Sequence, residues 1–363
     1  MADLRPTARV PLLVLGMLSL VGGVLAGLAR LDWSVPATAA NAAGWHGALM
    51  ISAFLGTVIS LERAVALARG GAYSAPAAAG IGGIALLAGA PLILTKALTV
   101  VAAAILVAAS IQILRRLVAP FTLILGAGAV CWLIGNLTWL AGAALTAAVP
   151  WWLTFLVLTI AGERLELTRF LPTPAGAQRL FFAIVGGILA GAELSFWQED
   201  IGLRLFAAGL LALAVWLLRY DIARRNAQQQ GLVRFIALCL LSGYGWLVLA
   251  GLLGLAGGFL PGHPWRDATL HAVGLGFVFS MIFGHAPIIF PAVVRVKIPY
   301  HPFFYVPLLV LHASLALRIL GGLGDKFPLR SEGGLLNAIA LLLFIATLLT
   351  SVVRGNRETA GTA

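Results

Sequence analysis

Charge is scarce in this chain. Only 10% of its 363 residues are charged and 61% are apolar, with a mean hydropathy of +1.01. A soluble domain carries about a quarter charged residues, so this composition excludes a water-exposed globular surface. Acidic residues are scarcer still, 13 against 24 lysines and arginines, for a formal charge of +11. The excess does not mark a nucleic-acid partner, because the basic residues stand in short clusters between apolar runs, as in cytoplasmic loops of membrane proteins. There are two cysteines, Cys131 and Cys239, both inside apolar segments and without CxxC or zinc spacing, which points to packing residues, with a disulfide as the alternative. P-loop, GxSxG and HExxH motifs are missing, as are paired carboxylates in mid-segment, so the commonest sequence signatures of catalysis do not apply.

What the chain does have is apolar length. Runs able to span a bilayer, about 20 residues each, fall near 10–32, 45–67, 74–94, 97–117, 120–146, 150–170, 178–197, 201–222, 232–258, 266–290, 301–322 and 333–353. The first resembles a secretory leader, with Arg5 and Arg9, an apolar run and small residues near Ala37 and Ala39. From Val10 to Leu31, however, it is long enough to span, and it is read as a transmembrane helix. Short loops leave a single transmembrane domain over 1–363. With the N-terminus inside, only seven of the 24 basic residues fall outside: Arg30, Lys96, Arg204, Arg266, Arg318, Lys326 and Arg330. The expectation is an all-α polytopic protein of about twelve helices with both termini cytoplasmic, in the inner (plasma) membrane.

A faint repeat runs through it. The second helix ends Ile59-Ser60-Leu61-Glu62-Arg63 and the sixth ends Ile160-Ala161-Gly162-Glu163-Arg164. The fourth ends Leu114-Arg115-Arg116 and the eighth Leu218-Arg219, while Leu270-His271 opens the tenth where Trp45-His46 opens the second. This spacing predicts pseudo-threefold four-helix units. The Glu-Arg pairs are read as ion-paired or snorkelling helix ends, and Trp45, Trp151 and Trp152 as interfacial belts.

Six histidines carry the functional signal, since an ionisable or ligating group at membrane depth is costly. His46 and His271 fall at matching depth on the same side, and two such imidazoles could clamp a haem iron from opposite faces. Gly47, Gly274 and Gly276 would give a macrocycle room; the alternative is two interfacial histidines facing headgroups. His285 lies about 21 Å beyond His271 along a helix, near His301. That pair could form a second metal site or a proton path, or simply a polar plug where Pro287 and Pro291 disrupt the helix. His312 is a mid-helix candidate for a further ligand or a cofactor hydrogen bond, and His263 reads as a turn residue. Arg266 and Arg318 match haem propionates in geometry, with snorkelling as the alternative for Arg318.

The stretch Trp45-His46-Gly47-Ala48-Leu49-Met50-Ile51 resembles the start of helix two in subunit I of the haem–copper oxidases, where that histidine ligates the low-spin haem. The run from His271 to Met281, continuing to His285 and Phe290-Pro291, resembles helix ten of the same family, which carries the opposite ligand. The NnrS family of haem- and copper-containing membrane proteins, tied to nitric oxide metabolism, is similar too. Against the oxidase pattern, helices six and seven hold no histidine, Thr269 stands where the high-spin haem ligand is expected, and the His-x-His of many NnrS members is missing after Trp45. The resemblance therefore implies a low-spin bis-histidine haem b, with His46 and His271 as ligands and no oxidase-type copper site; whether copper binds elsewhere stays open. It also implies nitric oxide or respiratory electron chemistry, with quinol or a redox protein as partner beside the bilayer itself. Two other readings remain: a proton-coupled secondary transporter without metal, and an assembly subunit whose histidines meet a partner's cofactor.

Overall fold

A computed structural model describes residues 3–169 and 174–361. Among them every regular element is helical, and twelve helices are long and apolar enough to cross a membrane. They are α1 (Pro6–Ala29), α2 (Ala48–Leu67), α3 (Gly70–Leu87), α4 (Leu92–Arg116), α5 (Pro120–Leu140), α6 (Leu145–Thr168), α7 (Gly176–Trp197), α8 (Glu199–Tyr220), α9 (Gly231–Leu255), α10 (Arg266–Val294), α11 (Pro302–Leu323) and α12 (Phe327–Arg357). The protein is a multi-pass membrane protein. Helices are the expected answer to this composition, because in lipid each backbone N–H and C=O must find its partner within the chain. Each expected span has its helix. Residue 170, the last of the sixth expected span, lies outside the described residues.

Proline and glycine set the ends. Pro6, Pro120 and Pro302 occupy first-turn positions, where the missing N–H costs nothing. The third helix ends earlier than its hydropathy suggests because Gly89 takes a left-handed turn (φ 73°) and Pro91 caps α4.

Contacts divide the chain into two compact units, 1–163 and 164–363. In the first, α1 packs on α2 and α3, α3 on α4, and α4 on α5. In the second, α7 packs on α8, α8 on α9, α9 on α10, and α11 on α12. Small residues make the tightest crossings, as expected where no hydrophobic force separates helix from lipid. A methyl group on Gly202 would overlap the backbone of Ser195, and one on Gly333 would stand 2.6 Å from the Arg318 nitrogen.

Candidate functional site

In the first unit, His46 stands just ahead of a π-helical stretch, Ala48–Leu55, that opens α2. Its hydrogen bonds skip one residue more than an α-helix, as when the Gly56 N–H reaches Ile51 O. The His46 Nδ1 lies 2.6 Å from the Gly23 carbonyl oxygen on α1. A carbonyl only accepts, so Nδ1 carries the proton and Nε2 the lone pair, the tautomer a metal requires. Gly27, one turn on, lets the ring lie against α1; a methyl group there would come within 2.8 Å of the ring.

Beyond His46 the π stretch is wedged by an indole. Trp132 of α5 packs so closely on Gly56 that any side chain there would overlap it. Its Nε1 donates to Ser52 Oγ (3.0 Å), and Ser52 donates to Asn136 Oδ1 (2.6 Å). The same oxygen accepts from Trp152 Nε1 (3.2 Å), while Asn136 Nδ2 donates to Thr99 O (3.3 Å). All four side chains are buried, and the network is neutral and joined up.

The second unit repeats the device with different chemistry. His271 directly precedes a second π stretch of the same length, Ala272–Phe279, within α10. Its Nδ1 donates to the Asp267 carbonyl one turn back (2.8 Å) and stands 3.3 Å from the Asp267 carboxylate. That carboxylate receives both arms of Arg318 from α11, at 2.9 and 2.7 Å. An indole again wedges the π stretch: Trp246 of α9 packs on Gly276, where a methyl group would stand 2.5 Å from its Cβ. Trp246 Nε1 donates to His312 Nδ1 (2.9 Å), and His312 Nε2 in turn donates to Ser242 Oγ (2.9 Å).

Several expectations change in detail. Both nitrogens of His312 are committed to protein partners, which gives it the role of a half-buried bridge. Arg318 neither snorkels nor reaches outward, since Asp267 holds it, and Arg266 donates to the Phe259 carbonyl oxygen. Gly276 makes room for Trp246, whereas Gly47 and Gly274 do have open space, with nothing within 4 Å of an added methyl group. His285 donates to Met281 O (2.9 Å) with the same tautomer as His271. His301 caps the short turn Pro302–Phe304 by accepting from Phe303 N, and His263 accepts from Trp265 N as a turn residue should. Trp151 and Trp152 are both buried within the protein, which is not how residues of a lipid-facing belt would sit. Of the repeated Glu-Arg pairs, Arg63 meets Glu163 at 2.8 Å, but Arg164 does not snorkel: it is buried in a two-pronged pair with Asp221 (2.7 and 3.0 Å). Cys131 and Cys239 are free and buried, as packing residues.

Sequence reasoning missed Asp267, Asp221, Trp132, Trp246 and Arg330. Only Asp267 carried a signal, four residues before His271 and so on the same helix face. Arg330 at the start of α12 is an electrostatic neighbour of Asp267, and its Nε is buried without a hydrogen-bond partner. Among the described residues no group of three or more His, Cys, Asp or Glu side chains could hold a metal ion. A haem asks less of the protein, two axial nitrogens and cations for its carboxylates. Taken separately, each unit offers one imidazole in the ligand tautomer, His46 in the first and His271 in the second, and the second also holds an orphaned guanidinium N–H at Arg330.

No curated protein matches the chain. A family profile matches residues 9–353, nearly its whole length, and the chain belongs to that family, described as a domain of unknown function (DUF8744).

Proposed function

We propose that this is a haem-binding protein of the bacterial inner membrane, similar in kind to the NnrS and haem–copper oxidase subunit I families, with both termini cytoplasmic and helices in pseudo-threefold four-helix units. His46 and His271 would hold a low-spin haem b through their Nε2 atoms. Arg330 serves its carboxylates, in place of Arg266 and Arg318. One observation supports the reading above the others: two histidines far apart in sequence share one local design, with Nδ1 locked on a backbone carbonyl one or two positions ahead of an eight-residue π stretch. π stretches cluster at functional sites, and a locked Nδ1–H is the usual support of a ligating imidazole. The haem would supply a one-electron couple, used in nitric oxide or respiratory electron chemistry. The chain's own groups fix the imidazole tautomers and present a cation to the cofactor's carboxylates. A copper site finds no such support.

The test is haem content and the optical spectrum of protein purified after expression with ample haem. Wild type should show a Soret band, His46→Ala and His271→Ala should lose most of it, and His263→Ala should keep it. A wild type without any Soret band would sink the proposal. The transporter reading draws on one observation, the Arg164–Asp221 pair buried within the helical bundle, since buried ionisable groups of membrane proteins often mark proton paths. Proton uptake by vesicles that survives loss of both His46 and His271 would favour it.

A further inference from the structure

The two candidate ligand histidines differ in what stands behind them. His46 donates to a neutral carbonyl, Gly23 O, contributed by another helix. His271 donates to a carbonyl of its own helix, and its Nδ1 also faces a carboxylate oxygen of Asp267 at 3.3 Å. That carboxylate cannot swing freely: Arg318 Nε and Nη2 take its two oxygens at 2.9 and 2.7 Å. A two-pronged guanidinium contact fixes the plane of a carboxylate as well as its place. The Arg318 side chain is 9% exposed and that of Asp267 27%, so the clamp is partly buried, where a charge acts more strongly on its neighbours than in water.

We infer that Asp267 is a positioning residue that makes His271 the more electron-rich of the two imidazoles, and that Arg318 sets how much of the carboxylate's charge His271 feels. The inference rests on the haem reading. A carboxylate behind a ligating histidine fixes its ring and raises its basicity, and a more basic ligand favours the ferric over the ferrous state. Removing the charge should therefore move the haem midpoint potential upward. Removing the guanidinium that competes for the charge should move it downward. Opposite signs from two neighbouring residues are not what a general loosening of the fold produces.

The experiment is a redox titration of the purified haem protein, followed at its optical bands, for wild type, Asp267→Asn and Arg318→Gln. Asp267→Asn should keep the haem and shift the midpoint to more positive values, Arg318→Gln should shift it to more negative ones, and Asp267→Glu should return it toward wild type. A haem-loaded wild type whose midpoint is unmoved by either substitution, or moved in the same direction by both, overturns this inference and leaves the haem reading standing. A wild type without haem overturns both. If Asp267→Asn does not assemble, Arg318→Gln decides by its sign. A second readout is the ¹⁵N spectrum of histidine-labelled protein prepared without haem. The His271 Nδ1 resonance should move in Asp267→Asn while that of His46 stays, the tautomer itself being held by the backbone carbonyl; an unmoved His271 resonance would count against the role.

Discussion

Two regions bury polarity in contrasting ways, one beside the first π stretch and one in the second unit, while near the N-terminus the first unit also buries Arg9 against Asp3. In the first, the wedge beside the π stretch ends in a neutral network of Ser52, Asn136, Trp132 and Trp152, in which each indole N–H and each amide group has a partner. In the second, the deep polar groups include ions, Arg164 with Asp221 and Arg318 with Asp267. The lesson concerns what each arrangement risks. A neutral network that loses one member strands a hydroxyl or an N–H, whereas a buried ion pair that loses one member strands a charge, and desolvating a charge is far more costly.

The sharpest break should therefore come from Arg164→Met. It leaves the Asp221 carboxylate, whose side chain has no exposure, without its counter-ion, and it should lower stability by about 3–5 kcal/mol in thermal unfolding of detergent-solubilised protein. Adding Asp221→Leu should recover much of the loss, since the stranded charge is then gone. In the first unit, Asn136→Leu removes the common acceptor of Ser52 and Trp152, and a loss of about 1–3 kcal/mol is expected. Ser52→Ala, which frees one indole N–H and one of the contacts to Asn136, should cost about 1 kcal/mol. If Asn136→Leu proved as damaging as Arg164→Met, the contrast between the two regions would fail.

The fold was largely readable, because spanning length and apolar composition leave helices as the simple way to satisfy the backbone. Helix number and approximate position followed from that rule alone. The candidate site was readable only at its centre. His46 and His271 stood out by residue type and depth, but their partners did not. Gly23 O is a backbone atom on another helix, with no side-chain signature. Trp132 and Trp246 looked like any aromatic in an apolar run until their glycine neighbours were known. Asp221 fell at the end of an expected span with nothing to mark a partner, although folding buries it against Arg164. Hydropathy also says nothing of the π stretches, since a window average does not register whether a residue bonds four or five positions on.

Those two stretches carry a consequence for how the direction of each imidazole is encoded. Converting a π turn into an α turn takes out one residue, and each residue of an α-helix accounts for a rotation of about 100°. Shortening 48–55 by one position would swing everything upstream, His46 included, around the axis of α2 without altering any side chain. The aim of His46, and by the same reasoning of His271, is thus written in the count of residues that separates it from the remainder of its helix. Relatives that preserve this heading must preserve that interval, even where every intervening amino acid has drifted.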